Sequence, residues 1–387
     1  METKTLFAKG SLSVLALGRI DSSTAPDFRA AVISALDTNP SYDSLLIDLA
    51  KVDYVSSAGL RVFLFLNKRF VSEEKKLTLA NASPALMEVF QMTGFNELVD
   101  IRPPFKEFDV TGLPVIGSGM CGDVYKVNDE TILKLYKSTM DLGMILKEKD
   151  NAKRVFVLGV PTPISYDLVK VGDRVGILFE MLHAKDLVSL MKNDLDHIAD
   201  YAVTFAKLAK QIHSIDGKNS RLPRKTDDYW DLISSNGPLG SRQASMMKSW
   251  MLRGLPEATT IVHGDFHPGN TMLSDNELMF IDMGDVSIGS PYNDLCQVYC
   301  FYKMDEPAEL IAHITKIDTP HRHLFYQAFM DEYFNHPSPE QLATIEDYIK
   351  DFVAVREMIY AINFPDGLPL DSKILRDRLA ECRLKKR

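Results

Sequence analysis

The stretch 261–288, IVHGDFHPGNTMLSDNELMFIDMGDVSI, constrains this chain more than any other part of it. It reads as a loop opening with His263, Gly264 and Asp265, followed by Asn270. A turn at Ser274, Asp275, Asn276 and Glu277 then leads into a short apolar strand over 278–281 that delivers Asp282 and Gly284. Two carboxylates and a carboxamide on loops flanking a hairpin suit phosphoryl transfer. Asp265 can orient a hydroxyl and accept its proton, while Asn270 and Asp282 hold Mg²⁺ on nucleotide phosphates. A bare H-G-D is weak evidence. Asp, then Asn five residues on, then an Asp closing an apolar strand twelve residues later is far more specific. The reading requires a phosphate cradle and a lysine elsewhere in the chain.

The length, 387 residues, allows two or three compact domains. A formal net charge of −9 argues against nucleic-acid or anionic-membrane binding as the main activity. The basic tail over 383–387 is too short to alter that and reads as a solvated helix end. The N-terminal METKTLFAKG lacks the apolar core of a signal peptide, and no apolar run approaches a membrane span. Cys121, Cys296, Cys300 and Cys382 are too scattered for a disulfide framework. Cys296 and Cys300 sit in an apolar helical pattern and read as buried thiols rather than a metal pair. These features place the chain in the cytoplasm.

From the N-terminus, 11–20 alternates as a strand, and Asp21, Ser22, Ser23 and Thr24 supply an N-cap for a helix over 26–36. A continuous apolar strand over 44–49 leads through Ser56, Ser57, Ala58 and Gly59 into a second helix to about Phe70. A strand over 77–80, a helix over 84–93 and a last short strand over 98–101 complete a small α/β domain. Gly18-Arg19-Ile20-Asp21, Ser23-Thr24-Ala25 and the run from Asp53 through Ser57 to Arg61 resemble a STAS domain of the anti-sigma-factor-antagonist type, over residues 1–104. In that family a serine opening this helix is phosphorylated to switch partner binding, and Ser57 matches it, with Ser56 where many members have Asp. Two readings of Ser57 stand side by side. It can cap the helix, or present a phosphosite or protein-docking surface where free N–H groups and the helix dipole favour an anion.

Pro103-Pro104 stiffens the chain at an inter-domain linker taken as 105–112. Beyond it stands Gly117-Ser118-Gly119-Met120-Cys121-Gly122-Asp123-Val124, a G-x-G-x-x-G-x-V pattern. A dinucleotide fingerprint would open a helix. Here β-prone residues follow, then a turn at Asn128, Asp129 and Glu130, then a paired strand carrying Lys134. Strand, glycine loop, strand, turn, strand is the kinase arrangement, in which backbone N–H groups cover the ATP phosphates; Gly117, Ser118, Gly119, Gly122 and Val124 are the candidate cofactor-binding residues, and Lys134 lies where the phosphate lysine should be. Glu148, on a helix over 140–158, is the candidate partner of Lys134; its lysine neighbours also permit a surface charge pair. A strand over 175–181 runs into a hinge whose backbone at Glu180 to Leu182 would meet the adenine edge. A long amphipathic helix over 194–215 precedes a polar, loop-rich insert over 216–237.

Residues 113 to about 300 resemble the aminoglycoside phosphotransferase and fructosamine/choline-kinase superfamily, small-molecule kinases with a protein-kinase-like fold. His263 to Asn270 and Ile281 to Asp285 look like its two signature loops. The resemblance implies an α+β two-lobed domain, with an N-lobe over 113–183 and a C-lobe with a helical acceptor region over 184–387. It also implies Asp265 as base, Asn270 and Asp282 as Mg²⁺ ligands, Lys134 as phosphate lysine and Glu148 as its partner. Asp294 would brace the catalytic loop or simply cap a helix; His263 and His267 are expected to shape the loop. Gly264 stands where protein kinases carry Arg, no A-P-E follows Asp282, and the segment before the next helix is too short for a peptide-docking loop. The expected acceptor is therefore a hydroxyl on a sugar-like or aminoglycoside-like small molecule, with the STAS domain as regulator or partner-binding module. The alternatives are a signalling protein that phosphorylates a protein, Ser57 of its own STAS domain included, and a module that only senses nucleotide.

Overall fold

The computed structural model describes residues 2–8, 11–40, 42, 44–73, 75–119, 121–236, 245, 259–274, 277–363 and 373–384. The chain divides into two compact units, Met1–Phe108 and Asp109–Arg387. In the first, β1 (Glu2–Ala8), β2 (Ser11–Ile20), β3 (Ser44–Val55), β4 (Lys76–Ala80) and β5 (Asp100–Ile101) form one sheet in that order. The β1–β2 pair is antiparallel and the other neighbours are parallel. Parallel neighbours need crossovers, which α1 (Ala25–Thr38), α2 (Ser57–Ser72) and α3 (Pro84–Met92) supply. Burial alternates along the first half of β3, with Leu45, Ile47 and Leu49 inside, so one face carries the core. Phe28, Phe63, Phe70 and Phe90 fill it. The unit is α/β.

Three local details differ from expectation. The N-terminal residues form strand β1, which the weak alternation of ETKTLFA did not announce. Thr24 occupies the α1 cap position without a side-chain cap bond; its hydroxyl donates instead to the Arg19 carbonyl at 2.6 Å. The last strand shrinks to Asp100–Ile101 because Phe95–Glu97 forms a 3₁₀ turn.

The second unit opens with an antiparallel sheet. Its neighbours run Ser165–Val171, Arg174–Glu180, Thr131–Tyr136, Gly122–Lys126 and Val115–Ser118. Helix α4 (Leu142–Val157) packs against it, burying Ile145, Ala152 and Val155. The remainder is mainly helical around α6 (Ile198–His213), which follows the short α5 (Leu187–Asn193), with the hairpin Thr271–Ser274 and Glu277–Phe280 beside it. Of the expected turn at 274–277, Asp275 and Asn276 lie outside the described residues. Phe205 of α6 stacks on Phe266 at 4.4 Å, fixing the loop that carries Asp265 to the helical core.

The insert expected to be loop-rich contains a helix, α7 (Lys225–Asn236). Its sequence is polar, but Tyr229 and Ile233, one turn apart, bury against Ala354, Val355 and Met358 of the helix Pro339–Asn363. Trp230 and Leu232 pack beside them half-buried, and the long helix supplies the rest of the surface. Cys296 is buried, whereas Cys300, also expected inside, is half-buried. The unit is a two-lobed kinase-like α+β fold with a helical C-terminal region.

Candidate active site

The loop around Asp265 is held from below by a buried carboxylate. Asp294, in the first turn of the helix Tyr292–Val298, has no solvent exposure. Its Oδ1 accepts the N–H of Gly264 at 2.8 Å and its Oδ2 that of His263 at 2.7 Å. His213 Nε2 lies 3.1 Å from the same Oδ2, and its Nδ1 lies 2.8 Å from Tyr333 Oη. Burial pushes the Asp294 pKa up, but His213, His263 and the Gly264 N–H outweigh it and hold the carboxyl below its usual value. Asp294 is therefore a brace and not an N-cap; Pro291 occupies the cap position. The fully buried His263 accepts the Asp265 N–H at Nδ1, 3.3 Å, so Nε2 carries the proton toward the Ile281 carbonyl at 3.1 Å.

Asp265 Oδ2 accepts from Asn270 Nδ2 at 2.9 Å and faces His267 Nε2 at 3.6 Å; Oδ1 accepts from Arg356 Nη2 at 3.3 Å. Burial alone would raise its pKa, but His267, Arg356 and His263 outweigh burial and hold the carboxyl well below the usual range. His267 Nδ1 in turn accepts the Gly269 N–H at 3.1 Å.

In the sheet, Lys134 Nζ stands 2.7 Å from Glu148 Oε1 and 3.3 Å from Asp282 Oδ1. Burial works against its charge, but the two carboxylates prevail and raise the ammonium pKa above the lysine value. Glu148 is 7% exposed, which excludes the surface-pair alternative. Lys134 is opposite Val124 across one strand pair and Ile177 across the other. Gly122 allows this packing: a Cβ there would overlap the Leu135 carbonyl oxygen. Ser118 Oγ donates to Asp123 Oδ1 at 2.9 Å, and Arg174 Nη2 holds Asp123 Oδ2 at 2.9 Å, so the Ser118 hydroxyl braces the glycine loop. The Gly119 N–H donates to the Gly122 carbonyl at 2.9 Å and closes the turn; Gly117 lies in the strand before it.

Asp282 adopts a left-handed backbone (φ +60°), an uncommon conformation for a non-glycine residue. Its carboxylate is 44% exposed. The turn after it is pinned to α4 by Asn151 Nδ2, which donates to the Gly284 and Val286 carbonyls at 3.2 and 3.4 Å. Asn270 is joined to this strand end through its carbonyl, which accepts the Ile281 N–H at 3.0 Å. Its NH₂ goes to Asp265, so the amide oxygen is what Asn270 has to offer a cation. An amide oxygen and an exposed carboxylate are hard donors and fit Mg²⁺. At the hinge, the Glu180 N–H goes to the Ile164 carbonyl and that of Met181 to the Glu130 carbonyl, both within the fold. Glu180 Oε2 accepts the Ile164 N–H. Leu182 lines a cavity of about 510 Å³ with Met181, His183, Ala184, Leu190 and Leu273.

Arg356, Lys225, Asn151 and Gln297 escaped the sequence reading. Only Arg356 left a signal, as an isolated cation within the apolar run from Phe352 to Ile359. In the first unit, Ser56, and not Ser57, caps α2: its Oγ accepts the Ala58 N–H at 3.1 Å. Ser57 is the first helical residue and is exposed.

The profile of the phosphotransferase enzyme family matches residues 112–333, more than half of the chain. That of the Mlab STAS domain matches residues 7–100. The putative anti-sigma factor antagonist BtrV of Bordetella bronchiseptica is 33% identical over 86 residues, 22% of this chain and 72% of the relative. Similar solved structures include an aminoglycoside-3'-phosphotransferase of type VIII, 17% identical, covering 63% of this chain and 94% of that one, with a TM-score of 0.42. A choline/ethanolamine kinase family protein from Mesorhizobium loti is 16% identical, covering 70% of this chain and 87% of that one, with a TM-score of 0.41. The chain therefore belongs to the phosphotransferase enzyme family and carries an N-terminal STAS domain homologous to the anti-sigma factor antagonists.

Proposed function

We propose that this chain is a cytoplasmic, ATP- and Mg²⁺-dependent phosphotransferase that moves the γ-phosphoryl group to a hydroxyl of a sugar-like or aminoglycoside-like small molecule. The STAS domain, residues 1–104, would act as a regulatory or partner-binding module joined through 105–112 to lobes over 113–183 and 184–387. One observation carries the reading: Lys134, paired with Glu148, also meets Asp282, and Ile281 just before Asp282 is hydrogen-bonded to Asn270, which holds Asp265. Phosphate lysine, oxygen donors and base thus belong to one connected site.

In this mechanism the glycine loop around Gly117, Gly119 and Gly122 covers the phosphates, and Lys134 neutralises their charge. Asn270 and Asp282 would hold Mg²⁺, which when bound screens the charge between the phosphates. The acceptor hydroxyl lies against Asp265. Its oxygen forms the bond to the γ-phosphorus as the bond to the β–γ bridging oxygen breaks, releasing ADP, and its proton passes to the Asp265 carboxylate. A carboxyl held well below its usual pKa is a weak base, so orientation of the hydroxyl comes first and proton transfer comes late, as suits a loose transition state. Gly264 and the short path from Asp282 to the helix Tyr292–Val298 favour a small acceptor. The test is Mg·ATP consumption by the full chain across sugars, polyols, amines and aminoglycosides, with products read by mass spectrometry. A phosphorylated product absent with Asp265→Ala supports the reading. No product from any acceptor sinks it.

A second reading, with a protein as acceptor, draws on the exposure of Ser57 and the use of Ser56 as the cap. Intact mass after incubating dephosphorylated protein with Mg·ATP decides it: no added phosphate excludes self-modification.

A further inference from the structure

The carboxylate of Asp265 is held from two sides. Asn270 donates to one oxygen, and Arg356, from the helix Pro339–Asn363, donates to the other. The same guanidinium reaches the Gly264 carbonyl through Nη1 at 3.4 Å, an oxygen that also accepts from the buried Gln297 Nε2 at 2.9 Å. Gly264 has no room for a side chain of its own. Its φ is +85°, and a Cβ would overlap the Asp285 carbonyl oxygen and come within 2.8 Å of Lys225 Nζ. Lys225, 4% exposed, donates to that Asp285 carbonyl at 3.3 Å. The residue before Asp265 thus carries no side chain, and the cations around it arrive from α7 and from a helix far downstream.

We propose that Arg356 is the positioning residue for Asp265, fixing the plane of its carboxylate against the acceptor hydroxyl; this rests on the phosphotransferase reading above. A guanidinium suits the task because two N–H groups in one plane reach a carboxylate and a backbone carbonyl together, which an ammonium does less well. With Asn270 and His267 on Oδ2 and Arg356 on Oδ1, Asp265 cannot rotate about its terminal bond without breaking contacts, and Arg356 is the side chain that fixes the Oδ1 side. Oδ1, with Arg356 as its donor, keeps a lone pair for the acceptor O–H. The anion that Arg356 meets directly is Asp265, at 3.3 Å. Arg356 does not touch the Lys134, Glu148 and Asp282 cluster, so its loss acts on orientation of the acceptor and not on the nucleotide.

The test uses full-length wild type, Arg356→Ala and Arg356→Lys. Mg·ATP turnover is measured with water and with any acceptor the screen supplies, together with Mg·ADP affinity and melting temperature. The expected result is a kcat about 10- to 100-fold lower for Arg356→Ala, the size of effect that misplacing a reacting group produces. ATP KM and Mg·ADP affinity stay within about twofold. Arg356→Lys recovers part of the rate, and low-millimolar guanidinium restores part of it to Arg356→Ala. An unchanged kcat in Arg356→Ala overturns the proposal. So does a joint loss of kcat, nucleotide affinity and melting temperature that neither Lys nor guanidinium repairs, which marks Arg356 as structural. A wild type that binds Mg·ADP but turns over nothing overturns the phosphotransferase reading and the proposal with it.

Discussion

Asp294 Oδ1 accepts the N–H of Gly264 at 2.8 Å from a side chain with no solvent exposure. A charged brace buried this deeply persists because each of its oxygens has donors: Gly264 on one, His263 and His213 on the other. Asp294→Ala leaves two buried backbone N–H groups and His213 without their acceptor, and should destabilise the chain by about 3 kcal/mol or more. Chemical denaturation followed by tryptophan fluorescence checks this, and turnover should fall even where the variant is folded.

Gly264→Ala should abolish turnover while adding only one methyl group. The left-handed backbone penalises any Cβ, and this one would meet the Asp285 carbonyl and Lys225. Something in the loop around Asp265 must shift. The expected outcome is loss of turnover with Mg·ADP affinity retained, since the glycine loop and Lys134 are untouched; titration calorimetry beside the turnover assay reads both.

Lys134 and Glu148 should not be equivalent under mutation. Lys134→Ala removes the cation expected on the phosphates and should raise the ATP KM about 10- to 100-fold, the worth of a charge-assisted hydrogen bond. Glu148→Gln keeps a hydrogen-bond acceptor but gives Lys134 wholly to Asp282, 3.3 Å away. It should lower kcat more than it raises KM. Initial-rate kinetics over an ATP series separate the two.

The first unit has an acid-sensitive contact of its own. Tyr42 Oη donates to Glu73 Oε2 at 2.8 Å, Arg69 Nε donates to Oε1 at 2.9 Å, and Lys75 Nζ stands 3.1 Å from Oε2. These hydrogen bonds, Tyr42 first and Arg69 next, bring the Glu73 carboxyl down to about 2. Its unfolded value is about 4.3. A depressed folded pKa gives stability that is present above the unfolded value and is lost as pH falls from there through about 2. Glu73→Gln should flatten the pH dependence of amide-exchange protection in β3 and α2 across that window. An unchanged slope would contradict it.

How legible the site was depended on sequence distance. Asp265, Asn270 and Asp282 lie on one loop–hairpin–loop segment, and Lys134 follows its glycine loop directly, so local spacing exposed them. A helical C-terminal region was expected, but no local rule says that the buried stretch 349–359 of the helix Pro339–Asn363 brings Arg356 to Asp265. Helix α7 failed for the same reason: its polar sequence is stabilised by packing of Tyr229 and Ile233 on that distant helix. Ser57 stood open between cap and phosphosite because a serine opening a helix is competent for either, and only the backbone geometry places Ser56 at the cap and Ser57 one residue inside the helix.

The most direct measurement compares wild type and Asp265→Asn for Mg·ATP turnover with an acceptor from the screen, alongside Mg·ADP binding to both. The account predicts turnover lower by about 10³-fold in the variant, within the range for losing a general base, and nucleotide affinity unchanged within about twofold. Equal turnover by the two proteins would contradict it.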